Sequence, residues 1–467
     1  MSLSAVALPW ALSAGSEGQG RDAKPIAATS NLIIEDIEIH EISPPFQEFN
    51  ASWLTQYYGL DIQYRGIYIL RMGNGLTGYG ESWKSAPDRE SFRGYIGQTL
   101  FDVLNHTNNA ALNMAVHDVI GKHLGVPVWK LIGPKIRSWV PVAAWTASQP
   151  PEAMAKEVIH ASQKGYRWLK YHPDVLQNVI AQTEAMQRVA PSWFRIHYDF
   201  NGYSSVESMA PVLRELEKFP IAGRLEDPIE ASDYEGYRLL REKCAIPVLK
   251  HRGSTESDLL ENCCNGVVIA SSVRNDQKLD FLADLVNTPL LFQHVGGGIT
   301  QAYMSHKAAV FPMAELDHLT GSNIWMDDVI DEQIEVVNGK IKVLDEPGLG
   351  VTVNEEKLRR YSTDRMNNQY KRLLTRVRYE GGLVLFFRHN GNTFEGNQRF
   401  MGFRHGEYHA SPTLRANIPP SDLPGTLSGY ANPVITEFWE DDSTEAFEQM
   451  WRRTESGSVW MEDEEAT

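Results

Sequence analysis

The chain of 467 residues carries 44 Lys+Arg against 60 Asp+Glu, a formal net charge of −16, with 42% apolar and 22% charged residues. That composition is ordinary for a globular protein, and the length is enough for two or three domains with a large core. The acidic balance argues against a nucleic-acid phosphate tracker, the three cysteines (Cys244 and the pair Cys263–Cys264) against a disulfide framework or Cys-x-x-Cys zinc site, and the lack of an apolar run of about 18 residues against a membrane-spanning helix.

Residues 3–14 are small and apolar, with no basic residue before Arg21. They read either as the middle of an export signal without its basic start or as a disordered leader, so the protein is expected to be cytoplasmic or exported, and residues 1–30 are set outside the fold. From residue 31 apolar and acidic residues alternate with period two through IIEDIEIHEI, a half-buried strand, and 66–72 and 77–82 give two more. Between them an aromatic stretch (45–60), with Trp53 and Tyr57, reads as a loop covering a site or packing on its own domain. Residues 99–133 have helical spacing that ends at Gly125 and Pro127.

After Val140 short apolar strands recur at 140–145, 167–172, 193–200, 221–227, 245–251, 266–271, 288–294 and 310–316. Their starts lie roughly 20–28 residues apart, a strand plus a helix. No Gly-rich phosphate turn follows the first, so a closed barrel is favoured over an open doubly wound sheet. Past residue 330 the rhythm stops, a hairpin is expected at Asn338–Gly339, and 366–467 reads as a strand-and-loop appendage with an acidic tail. The expected organisation is a 31–135 α+β domain, a 136–330 barrel, a 331–365 return to the first domain and the appendage.

Barrel enzymes carry their sites at the C-terminal strand ends. The polar residues there are Lys170 and His172, His197, Asp199 and Asn201, Arg224, Glu226 and Asp227, Lys250, His251 and Arg252, and His294. Residues two apart share a face, pairing Lys170 with His172, His197 with Asp199 and Arg224 with Glu226. So many buried charges need partners or a metal, which points to a shared site.

These residues, with GYGES (78–82), the run 110–133, LEDP (225–228) and the closing GKIKVLDEPGLGV (339–351), resemble the enolase superfamily, specifically its mandelate racemase and muconate-lactonizing branch. The resemblance runs from Asn31 to about Arg360. It implies an α/β fold: an α+β capping domain over a modified TIM-type (β/α)7β barrel, here followed by the appendage. It implies abstraction of the proton beside a carboxylate, Mg²⁺ on three strand-end carboxylates, a Lys or His base, and a homo-oligomer. Asp199 and Glu226 take two of the metal positions, and Lys170, His172 and His294 the catalytic ones.

Three positions depart from the pattern. His251 or Arg252 stands at the third carboxylate, His172 replaces a lysine, and the acid expected beside His294 falls near Asn265, with only Glu261 close by. Mg²⁺ with three carboxylates sums to −1, as do two carboxylates with one arginine. Arg252 between Asp199 and Glu226, replacing the ion, is therefore one expectation. Mg²⁺ on Asp199, Glu226 and Asn201 or a water, with Arg252 turned to the substrate carboxylate, is the other. Trp53, Tyr57, Trp145, Asn201 and Arg252 are the expected substrate contacts. Two functions stay open: a lyase or isomerase acting on a hydroxy or sugar acid, as a dehydratase or racemase, and a non-catalytic descendant that binds such a ligand. Outside the site, Gly296–Gly298 reads as an anion cradle or a tightly packed loop. Cys263–Cys264 reads as core, Trp168 as pocket wall or barrel filling, and His117 and His123 as surface or interface residues.

Overall fold

The computed structural model describes residues 32–58, 63–83, 89–104, 109–174, 176–202, 204–362, 372–380, 382–389, 429–431, 433–439, 441–455 and 459–462. The expected leader, 1–30, lies outside them.

The capping domain is an antiparallel sheet of β1 (Ile34–Ile42), β2 (Arg65–Met72) and β3 (Thr77–Trp83). Between β1 and β2 the aromatic stretch forms a helix, α1 (Ala51–Tyr58), rather than an open loop. The segment 99–133 breaks into α2 (Leu100–Val103), α3 (Ala110–Leu124) and α4 (Trp129–Ile132). Asn109 caps α3 through the Leu112 N–H, and Gly125 ends it in the left-handed conformation. α3 packs directly on the backbone of β3: a Cβ at Gly80 would sit 1.8 Å from the carbonyl oxygen of Ala111. The glycines of GYGES are thus needed for contact.

The barrel strands are β4 (Trp139–Ala147), β5 (Trp168–His172), β6 (Arg195–Asp199), β7 (Ala222–Glu226), β8 (Val248–Lys250), β9 (Gly266–Ile269), β10 (Leu290–Phe292) and β11 (His318–Leu319). They are parallel and neighbour one another in chain order, and β11 pairs with β4. A bridge from Gln293 to Leu319 joins β11 to the end of β10 and closes the ring. Seven helices link them: α5 (Pro151–Gln163), α6 (Val179–Val189), α7 (Val206–Leu216), α8 (Tyr234–Lys243), α9 (Thr255–Leu260), α10 (Val273–Val286) and α11 (Gly298–Ala308). The eighth strand is at 318–319, not at 310–316. α11 runs to Ala308, and the apolar residues after it are instead tied beneath the barrel by Arg137, whose guanidinium donates to the carbonyls of Ala308, Phe311, Pro312 and Ala314.

β12 (Lys340–Lys342) turns back at Asn338–Gly339, both at positive φ, and runs antiparallel to β4. α12 (Glu355–Tyr361) then brings the chain to β1, where Ser362 bridges Ile42. The C-terminal part is a four-stranded antiparallel sheet in the order β15-β13-β14-β16, from β13 (Leu373–Tyr379), β14 (Leu383–His389), β15 (Val434–Trp439) and β16 (Val459–Glu462). A helix at Glu445–Arg453 packs on it through Phe447 and Met450.

The cap is locked to the barrel by buried charge. Arg65 of β2 has no exposed side-chain surface and pairs with Glu81 at 2.7 Å and Asp328 at 2.9 Å. Glu81 also accepts from the N–H groups of Gly297 and Thr300 and from the Thr300 hydroxyl, and the Gly298 N–H donates to Asp328. The Gly296–Gly298 turn is therefore both of the things expected of it, with the chain's own carboxylates as the anion at the α11 N-terminus. A Cβ at Gly297 would fall 1.6 Å from the Arg65 guanidinium. Cys263 and Cys264 are buried in the core. His117 is buried too, not at the surface, with Nδ1 2.7 Å from the Asn113 carbonyl and its ring edge-on to Tyr303 of α11. His123 is half-buried. No helix among the described residues is long and apolar enough to cross a membrane.

Candidate active site

Strand parity decides which strand-end side chains meet. Trp145 of β4, Leu249 of β8, Val268 of β9, Leu291 of β10 and Leu319 of β11 share one buried cluster inside the barrel. Their neighbours Val248, Val267, Ile269, Leu290 and Phe292 belong to the core shared with the outer helices. Because side chains alternate, His251 and Gln293 fall on the inner face, and Lys250 and His294 on the outer. Lys250 accordingly pairs with Asp258 of α9 at 2.8 Å.

His294 is a correction to the expected site. Its Nε2 lies 2.7 Å from Nζ of Lys307 on α11, and Lys307 pairs with Asp276 of α10 and donates to the Ser271 carbonyl at 2.9 Å. It does not face Lys170 and His172 across a cavity. Burial, then Lys307 and His318, hold its imidazole well below the usual range. Asn265 also does not stand beside it: it precedes β9, at the opposite end of the strand, and accepts from the Val248 N–H. The carboxylate on this side is Asp276, which reaches His294 through Lys307.

The residue brought in at that point is Gln293, which the sequence reading missed. Its Oε1 accepts from Nζ of Lys170 at 2.5 Å. The signal was available, since Gln293 is two residues beyond Leu291.

Around it a polar layer fills the barrel. The Lys170 ammonium lies 2.8 and 2.7 Å from the two Glu226 oxygens and 3.0 Å from Asp199 Oδ2. His197 Nε2 is 2.8 Å from Glu226 Oε2, and His251 Nδ1 is 3.1 Å from Glu226 Oε1. His172 Nε2 is 3.0 Å from Asp199 Oδ2, and the Asn201 N–H donates to Asp199 Oδ1 at 3.0 Å. Below this layer the Arg224 guanidinium stacks 3.7 Å over Trp168 and pairs with Asp317, so Trp168 is barrel filling.

The charges follow from these contacts. Burial opposes the Lys170 ammonium, but Asp199 and Glu226 outweigh it and raise its pKa. Burial and Glu226 both work against ionised Asp199, yet Lys170 and His172 bring it down to about 2. Burial likewise opposes ionised Glu226, and Lys170, His197 and His251 hold it well below the carboxylate range. Burial takes His197 down to about 4, so at neutral pH it is uncharged beside Glu226. Burial would lower His251 too, but Glu226 reverses the sign and raises it.

Side-chain exposure separates scaffold from reachable groups. Lys170 and Glu226 are at 0% and His197 at 2%, whereas His172 is at 10% and His251 at 32%. Asp227, at positive φ, fixes the turn after β8 by accepting from the His251 and Arg252 N–H groups, both at 3.0 Å. His251, not Arg252, takes the third strand-end position. Arg252 donates to Asn201 Oδ1 at 2.9 Å, and the cation between Asp199 and Glu226 is Lys170. Trp145 stands edge-on to His172 with centroids 5.6 Å apart. Trp53 lies farther out on α1, against Phe438 of β15. Tyr57 is also on α1, its side chain outside the described residues.

Asp199, Glu226 and His251 place ligand atoms within 4.8 Å of one another, as a cation site would. Lys170 already donates to both Glu226 oxygens, and ring nitrogens of His251 and His197 lie 3.1 and 2.8 Å from them. An ion would have to displace a buried ammonium, and an imidazole in the donor set is soft for Mg²⁺. The residues as arranged do not fit a resident Mg²⁺ ion.

A family model described as enolase C-terminal domain-like matches residues 153–256 and 277–357. The chain is 26% identical over 280 residues to a D-xylonate dehydratase of Haloferax volcanii, covering 52% of this chain and 67% of that protein. It is 25% identical over 278 residues to a D-galactonate dehydratase of Xanthomonas campestris pv. campestris, covering 54% and 72%. Among solved structures, a mandelate racemase/muconate lactonizing family protein from Azoarcus sp. EbN1 superposes with a TM-score of 0.58 at 22% identity, covering 71% of this chain and 98% of that one. An N-succinyl Arg/Lys racemase from Bacillus cereus gives 0.59 at 21%, with the same coverage.

Proposed function

Because the chain belongs to the mandelate racemase/muconate-lactonizing branch of the enolase superfamily, we propose that its barrel mouth binds a small hydroxy or sugar carboxylic acid and removes the proton beside the carboxylate. The observation that carries this reading is the pair of reachable imidazoles, His172 and His251, each held on its own carboxylate at the ends of β5 and β8. Asp199 Oδ2, 3.0 Å from Nε2 of His172, orients that ring, and His172 is the proposed general base. Glu226 on Nδ1 of His251 favours the imidazolium, which suits a proton donor to a departing hydroxide. One base and one acid on separate strands serve dehydration or racemisation alike, and the relatives favour dehydration. The dehydratases of D-xylonate and D-galactonate among the relatives support a sugar acid as the substrate class.

The remaining residues divide between recognition and support. Arg252, at the same strand end as His251, offers a guanidinium to the acid's carboxylate. Asn201 supports it, being bonded to Arg252 on one side and Asp199 on the other. Trp145 walls the pocket beside His172. Lys170 supplies the charge balance of an ion: two carboxylates and one ammonium sum to −1, as Mg²⁺ with three carboxylates does. In this reading the site works without a metal.

The test is incubation of chelator-treated protein with a panel of sugar acids, including D-xylonate and D-galactonate, in D₂O. With at least one acid, loss of water to the 2-keto-3-deoxy acid deuterated at the carbon that lost hydroxide, or deuterium beside the carboxylate of the recovered acid, is expected, falling by roughly 100-fold or more in His172→Gln. Exchange that returns only with added Mg²⁺ refutes the metal-free reading. Tight binding with neither exchange nor keto-acid formation refutes catalysis and leaves a binding protein.

A further inference from the structure

Among the contacts that join the C-terminal part to the barrel, three lie beside the site. Thr436 of β15 donates from Oγ1 to the Leu176 carbonyl at 2.5 Å, in the loop that follows His172. The Tyr430 hydroxyl donates to the Phe200 carbonyl at 3.1 Å, one residue past Asp199, with the two rings edge-on at 5.0 Å. Phe438 of β15 lies against Trp53 of α1, centroids 4.1 Å apart and planes at 38°. The sheet therefore touches the loops after two site-bearing strands and the cap helix beside them.

α1 needs that support. It has eight residues, no acidic side chain in its first turn and no basic one in its last. A helix so short is marginal without tertiary packing. From below, Leu54 is buried in the cluster that contains Trp145, and Asn50, just before the helix, donates to the buried Glu157 at 2.7 Å. From the appendage, Phe438 covers Trp53. Phe438 meets Trp53, the next residue, Leu54, belongs to the buried cluster that contains Trp145, and the Trp145 ring edge meets His172.

We infer that β15 is a wall of the pocket and that Phe438 is a positioning residue, holding α1 on the barrel mouth and, through Leu54 and Trp145, the ring of His172. The pocket wall rests on the acid-binding function proposed above; the clamp on α1 does not. A substrate is then bounded on this side by a part of the chain outside both cap and barrel, which limits the length of acid that fits.

Hydrogen exchange on the intact chain tests the clamp. In Phe438→Ala the amides of 51–58 should exchange about tenfold faster, the scale of a lost aromatic pair, while those of β5 and β6 keep their rates. Phe438→Tyr should restore slow exchange at 51–58. Unchanged exchange at 51–58 in Phe438→Ala overturns the inference. If exchange rises through β13–β15 as well, the sheet itself has loosened, and Trp53→Ala decides: faster exchange at 51–58 with β13–β15 intact supports the clamp, and unchanged exchange there overturns it. D-Galactonate and glycolate, added separately, place the wall relative to the ligand. Slower exchange at 51–58 with the longer acid only, lost in Phe438→Ala, supports it; equal protection by both acids overturns the length limit. A clamp seen in the variants with no effect of any sugar acid sinks the acid-binding reading and leaves the clamp standing.

Discussion

Replacing Lys170 with Met keeps the length of the side chain but removes the charge from a position with no exposed surface. At an effective dielectric of about 20, an ammonium and a carboxylate about 3 Å apart attract by roughly 5.5 kcal/mol. Lys170 has two such partners, at 2.7 and 3.0 Å, and the gain is offset by several kcal/mol of desolvation for each ion. The net cost of removing one member of a buried set is about 3–5 kcal/mol, because Asp199 and Glu226 are left facing each other without a cation. The pH dependence carries the test. In the native protein both carboxylates are held below their ordinary values, so their contribution is present above the unfolded value near 4 and fades as pH falls, for Asp199 toward about 2. In Lys170→Met their folded values rise and a proton takes the place of the ammonium. The deficit should therefore be largest near pH 8 and shrink below pH 5, read from urea midpoints at both. Mn²⁺ should raise the variant's midpoint and leave the native one unmoved. A deficit under about 1 kcal/mol at pH 8, or one equal at both pH values, would refute the assignment of Lys170 as the resident cation.

Other perturbations test the frame. Glu81→Gln leaves Arg65 and the α11 N-terminus short of an anion and should cost about 3 kcal/mol or more, with faster exchange across β2 and β3; a thermal midpoint within 1 °C of native contradicts the lock. His117, His197 and His306 are each lowered by burial to about 4, and His318 to about 3. Each contributes stability that is full above the unfolded value near 6.5 and lost as pH falls through the folded one. The urea midpoint should thus drop steeply between pH 6.5 and 4, and a flat profile excludes neutral buried imidazoles. Burial raises Glu157, which accepts from Asn50, Thr146 and Gln149 on one oxygen. Its contribution is present below the unfolded value and lost as pH rises through the folded one, so Glu157→Gln should gain on the native protein as pH is raised from 5 to 9. A difference independent of pH counts against it.

Much of the site was legible because some strands carry their own parity. In WLKYH and RIHYD polar and apolar residues alternate, so the inward pairs Lys170/His172 and His197/Asp199 could be named from spacing alone. In LLFQH three apolar residues precede the polar ones, and a strand of a parallel barrel is buried on both faces. Such a run carries no parity, and a slip of one residue exchanged Gln293 for His294. At β8 the same ambiguity left His251 and Arg252 open.

Chain order, the spacing of the first seven barrel strands and the inward polar pairs of β5 and β6 were fixed by local pattern, because period-two alternation and helix-length spacers act within a few residues of themselves. The identity of the cation between Asp199 and Glu226 was not. Lys170, Arg252 and an ion satisfy the same charge sum, and only the lateral placement of β5 beside β6 and two strands from β7 brings the ammonium within 3.0 Å of both carboxylates while Arg252 is engaged by Asn201. Nor could local pattern seat the appendage: its contacts with Leu176, Phe200 and Trp53 join residues more than 200 positions apart, and such pairings exist only once the barrel has closed.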